Sequence, residues 1–164
     1  MPDPTPIHVH HAPPPGAIPA PPPAPPRTAM KPGAYLQRRR IAEGMQVADV
    51  AARLSTEPRI AEHLRAEWIA LIEAGEMEAS FSTISALRCA FPFDLAVLER
   101  LALIDLGADL QPPRICRVCA CSNYDPCVTD AGACSWAATD LCTACVGVAN
   151  DMSSSSAGRT ADAL

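Results

Sequence analysis

The sequence predicts a mostly α protein: a five-helix bundle followed by a small cysteine-rich module stabilised by metal, with a disordered tail at each end. Three observations carry this. Apolar residues recur at helical spacing from about Ala34 to Leu106. Seven of the eight cysteines fall between Cys116 and Cys145, and 12 of the 18 prolines fall within the first 26 residues. The 164 residues accordingly divide at 1–32, 33–108, 114–147 and 148–164.

The first piece is proline, alanine and histidine with almost nothing to bury, which favours extended polyproline conformations and a disordered tail. His8, His10 and His11 lie in it without fixed geometry and are assigned no site. Met30 opens the ordered-looking sequence and is a candidate translation start, which would make residues 1–29 an untranslated extension.

Tyr35 and Leu36 open a first helix that Gly44 can close as a C-cap, with Met45 returning to the core. Val47, Val50, Ala51 and Leu54 give one apolar face to a short second helix. Ser55 or Thr56 can cap a third helix with Pro58 in its first turn, whose apolar stripe reads Ala61, Leu64, Trp68, Leu71 and Ile72 before Gly75. Ser82 can cap a fourth helix that includes Cys89 as a core residue. Phe91-Pro92-Phe93 breaks it, and Asp94 caps a fifth helix through Leu95, Leu98 and Leu101 to Gly107. The run Ser153 to Leu164 reads as a flexible end.

The cysteines follow Cys116-x2-Cys119-x-Cys121-x5-Cys127-x6-Cys134-x7-Cys142-x2-Cys145. A segment of about 30 residues with one Trp and one Tyr cannot hold itself together by apolar burial and needs cross-links. Seven is an odd number for disulfides, and the chain start carries no secretion signal, so metal is the favoured cross-link. Cys116/Cys119 and Cys142/Cys145 are two CxxC pairs separated by 22 residues, a zinc-ribbon type of arrangement. Four thiolates suit Zn²⁺, or alternatively an iron–sulfur cluster, and exclude Ca²⁺ and Mg²⁺. Cys121, Cys127 and Cys134 exceed one tetrahedral ion. They fill a second site that can share a thiolate with the first, replace a member of the CxxC set, belong to an iron–sulfur centre, or are small buried hydrophobes. With no histidine in this region, a structural ion is expected rather than a catalytic one.

The run GAYLQRRRIAEGMQVADVAARL, followed by IALIEAGE and STISALRCAFPFDLAVLERL, resembles the Cro/C1-type (XRE) helix-turn-helix family. Gly44 and Met45 match the end of that family's first helix, Ala51 the packed interior of its second, and Glu73 and Gly75 the Glu-x-Gly that ends its recognition helix. The resemblance covers about 70 residues and implies a lambda-repressor-like bundle. The cysteine-rich tail of the form CRVCxC...DLCxxC is similar to those of uncharacterised phage and prophage proteins. Where the family has a turn of about four residues, this chain has Ser55 to Arg65, an insertion that reads as helical. The recognition-helix equivalent turns Ala66, Glu67, Ala70 and Glu73 outward, without Arg, Asn or Gln to read base edges.

Charge limits the functions further. With 18 acidic against 13 basic residues the net charge is -5, so any contact with double-stranded DNA must be local. Arg38, Arg39 and Arg40, with Arg65, form the candidate phosphate-binding patch. The resemblance implies a phage or prophage transcriptional regulator, acting as a homodimer. The acidic balance points instead to an adaptor that keeps the fold, lacks base readout and presents a zinc-stabilised surface to a protein partner. No nucleophile, base and orienter combination is visible, so no enzymatic activity is expected. No stretch approaches the roughly 18 apolar residues of a membrane span, and a cytoplasmic protein is expected.

Overall fold

The computed structural model describes residues 28–130 and 132–150. Residues 1–27 and 151–164, which hold most of both expected tails and His8, His10 and His11, lie outside the described residues.

The helical part consists of α1 (Pro32–Ala42), α2 (Val47–Arg53), α3 (Glu62–Ala74), α4 (Phe81–Ala90) and α5 (Leu95–Asp105). α1 starts earlier than Tyr35, because Pro32 sits in the first turn where its missing N–H is no loss. Ala29 and Met30, also assigned to the tail, pack against the core. Gly44 takes a left-handed conformation after α1, and Met45 is buried. α2 opens on a capping box between Gln46 and Asp49. The segment between α2 and α3 is irregular rather than helical, and Thr56 Oγ1 accepts the Ile60 N–H across it. Ser80, rather than Ser82, caps α4 by accepting the Thr83 N–H, and Asp94 caps α5.

Tyr35, Leu36, Val50, Ala51, Ile69, Leu87 and Leu101 fill the core where these helices meet. α1 crosses α3 at Gly33, where a Cβ would stand 2.3 Å from the carbonyl oxygen of Ile72 and 2.6 Å from that of Glu73. Only a residue without a side chain lets the two backbones approach this closely.

The buried face of α3 differs from the stripe its apolar residues suggest. Arg65, Ile69, Ile72 and Glu73 point inward, while Leu64 and Leu71 are 47% and 37% exposed. The rotation follows from two charged residues that find partners inside. Arg65 donates to the carbonyls of Ala51 and Ile60, and Glu73 receives Arg40 through two bonds of 2.6 and 2.7 Å. Cys89, expected in the core, is exposed.

The cysteine-rich segment follows as two short antiparallel ribbons. The first pairs β1 (Val128–Thr129) with β2 (Gly132–Ala133), and the second pairs β3 (Trp136–Ala138) with β4 (Leu141–Cys142). A 3-10 turn, Thr143–Cys145, leads into helical conformation at residues 146–150, the last three of which fall in the expected C-terminal tail. Ala149 there is buried against the cysteines.

Candidate metal centre

Each cysteine reaches the centre of the segment from a turn or a ribbon end. After Cys116 the chain makes a knuckle in which the Ala120 N–H donates to the Cys116 carbonyl at 2.9 Å and the Cys116 N–H to the Cys121 carbonyl at 3.0 Å. Ala120 holds φ 59 to close it, an uncommon conformation for a residue with a side chain. The knuckle turns Cys116, Cys119 and Cys121 into the segment, and sends the Ala120 methyl into the helical core. Cys127 and Cys134 flank the open end of the β1–β2 ribbon, joined by a Cys134 N–H to Cys127 carbonyl bond of 2.8 Å. Cys142 ends β4, and Cys145 ends the 3-10 turn behind it.

Two sets of four sulfurs converge. Cys116, Cys119, Cys121 and Cys142 form one, and Cys121, Cys127, Cys134 and Cys142 the other, every sulfur within 4.8 Å of the others in its set. A metal–thiolate tetrahedron with bonds of about 2.3 Å has edges of about 3.8 Å. Cys119 to Cys142 in the first set and Cys121 to Cys134 in the second are each 3.8 Å, while Cys119 and Cys127, which belong to different sets, stand 3.3 Å apart. The expected pairing of the two CxxC motifs is thus altered: Cys121 takes the place in the first set that spacing gives to Cys145. Cys145 is buried beside the cluster but outside both sets. What the cluster shows is a capacity to hold metal.

The thiols also oppose one another's ionisation. Hydrogen bonds from Cys119 and Cys121 hold Cys116 well below the ordinary thiol range, and the same sharing pushes Cys121 up. Burial pushes Cys127 and Cys145 up. A bound cation removes that conflict by neutralising the thiolates in place.

The rim is held by polar contacts the cysteine spacing does not announce. Arg117 pairs with Asp140 at 2.7 Å, Arg114 lies 4.3 Å over the Trp136 ring, and Trp136 Nε1 donates to Asn123. Ser122 donates its hydroxyl to Asp94, the cap of α5, at 2.9 Å.

No family model, curated protein or solved structure matches the chain. The assignment of function therefore rests on the residues themselves.

Three of the four candidate phosphate-binding arginines are committed to internal partners. Arg39 is 2% exposed and lies 2.8 Å from Asp125 in the cysteine-rich segment. Arg40 is buried against Glu73 and the Met45 carbonyl, and Arg65 against the Ala51 and Ile60 carbonyls. Arg38 alone of the four is partly exposed. Glu73, read from the sequence as outward, is buried because Arg40 needs its carboxylate. Asp125 and Ser122 join the two parts of the molecule, a role that nothing in the sequence gives them. Asp125 does stand within two residues of Cys127, but nothing in the local pattern points across more than 80 positions to Arg39.

Among the described residues, no helix is long and apolar enough to cross a membrane.

Proposed function

We propose that the protein is an interaction adaptor: a helical bundle with a structural Zn²⁺ module docked on it, whose recognition surface for a protein partner is the exposed face of α3. The observation that carries this is the composition of that face. α3 stands where the family resemblance puts a DNA-reading helix, yet it turns Leu64, Glu67, Ala70 and Leu71 to solvent. Apolar groups one and two turns apart with a carboxylate between them suit the groove of another protein and repel phosphate. Burial of Arg39, Arg40 and Arg65 removes the opposing electrostatic argument.

The metal module's role is support. Five of its seven cysteines are buried and histidine is absent from it, so it offers thiolates for a closed site.

The regulator reading, with a homodimer on double-stranded DNA, retains one supporting observation. The five helices follow the order the XRE resemblance implies, with Arg38, Arg59 and Arg88 outside the buried set. Fluorescence anisotropy of mixed-sequence duplexes separates the two. An adaptor gives flat, negligible binding even at about 50 mM salt, whereas affinity that falls as salt rises reverses the assignment. A photo-crosslinker at position 67 in the native cell is expected to capture one defined protein, and L64E/L71E to abolish that capture.

A further inference from the structure

Seven cysteines are more than one tetrahedral ion can use and one fewer than two separate four-thiolate ions require. Residues 114–147 contain no histidine to make up the difference. Their carboxylates do not supply it either: Asp125 faces Arg39, Asp140 is paired with Arg117, and Asp130 is exposed outside both sulfur sets. Two ions can be satisfied here only by sharing thiolates.

The two sulfur sets have Cys121 and Cys142 in common. We propose that the module holds a binuclear centre in which Cys121 and Cys142 bridge two divalent, thiophilic ions. Cys116 and Cys119 complete one tetrahedron, and Cys127 and Cys134 the other. The proposal rests on metal binding by this cluster and is independent of the adaptor role.

Three features of the cluster fit the assignment. The two bridging residues, Cys121 and Cys142, are each 1% exposed, as deeply placed as the terminal Cys116 at 0%, whereas Cys127 and Cys134 lie nearer the surface. A bridging thiolate must sit between its ions, away from water; a terminal one need not. Each tetrahedron also has one terminal sulfur placed to accept a backbone N–H. The Cys142 N–H reaches Cys116 Sγ at 3.5 Å, and the Cys127 N–H reaches Cys134 Sγ at 3.2 Å. Such bonds offset thiolate charge and orient the ligand. Finally, sharing two thiolates carries two fewer negative charges than two separate four-thiolate centres. That matters where Arg114 and Arg117 are the only cations between residues 114 and 147.

Cys145 is left as a buried seventh thiol with no ion to hold, against the expectation from its CxxC spacing.

The test uses the full chain, purified without oxygen after growth in zinc, and in parallel with ¹¹³Cd. Native mass spectrometry is expected to show two ions per chain. ¹H–¹¹³Cd correlation spectra are expected to show two cadmium resonances, with the β-protons of Cys121 and Cys142 each coupled to both. C145S should retain both ions, and its loss of one would overturn the ligand assignment. One ion per chain, two ions without a doubly coupled cysteine, or a brown iron chromophore overturns the binuclear centre. A folded chain with no metal at all overturns the metal reading beneath it as well.

Discussion

Arg39 of α1 and Asp125 of the cysteine-rich segment meet at 2.8 Å, with the guanidinium almost wholly buried. The approach is charge to charge rather than an aligned hydrogen bond: Arg39 Nε and Asp125 Oδ2 have no hydrogen-bond partner. Glu43, four residues along α1, also faces the same guanidinium at 3.4 Å. Arg39 therefore reads as a joint between the helices and the cysteine module.

Asp125→Ala leaves the Arg39 charge buried with only Glu43 nearby, and is expected to destabilise the chain by about 2 kcal/mol. Urea unfolding followed by far-UV circular dichroism measures it. Arg39→Met combined with Asp125→Ala should recover part of the loss, because the uncompensated charge is gone. An additive double variant would show that the two groups do not interact.

The Arg40–Glu73 pair is more deeply enclosed and bidentate. Glu73→Ala is expected to destabilise by about 3 kcal/mol or more, and Glu73→Gln by less, since the amide keeps one acceptor. Replacing both, as Arg40→Met with Glu73→Leu, should come close to the parent in thermal unfolding. A stable Glu73→Ala chain would contradict the burial of this carboxylate.

Tyr35 gives a pH signature. Its hydroxyl accepts the Asp94 N–H at 2.9 Å, and burial pushes the phenol well above the ordinary tyrosine value of about 10. Above that value the unfolded chain has released the proton while the folded chain still holds it, so stability falls as pH rises and is intact below. Tyr35→Phe is expected to cost about 1 kcal/mol near neutrality, where Asp94 loses its acceptor. The gap between parent and variant then narrows above pH of about 10. A gap that stays constant across that range in urea midpoints would place the phenol in water.

Metal removal is the broadest test. A strong chelator is expected to abolish dispersion of the amide signals from residues 114–150 while most of the helical circular dichroism remains, and to lower the melting temperature of what is left. An unchanged spectrum after complete chelation would mean that the segment is held by other means.

Much of the helical part was legible. The breaker Phe91-Pro92-Phe93, the cap at Asp94 and the stops at Gly44 and Gly75 lie where local chemistry puts them, because those signals act over one or two turns. The face of α3 was not legible. Leu64, Trp68 and Leu71 make a good apolar stripe, but the partners of Arg65 and Glu73 turn Leu64 and Leu71 to solvent while Trp68 stays packed against the core. The cysteine spacing pointed to a metal-capable cluster but not to which sulfurs converge, since CxxC pairing is blind to how the knuckle at Ala120 brings Cys121 inward while Cys145 lies outside both sets. The arginine run was read as a surface patch because helical periodicity cannot tell a solvated cation from one matched to a carboxylate far along the chain.

Ala120 places its methyl in the helical core while its neighbours in sequence, Cys119 and Cys121, face the cluster. The knuckle and the bundle consequently share a buried residue, so the packing of one bears on the other. A change that loosens the cysteine knuckle is therefore felt in the wall of the helical domain, through one methyl group.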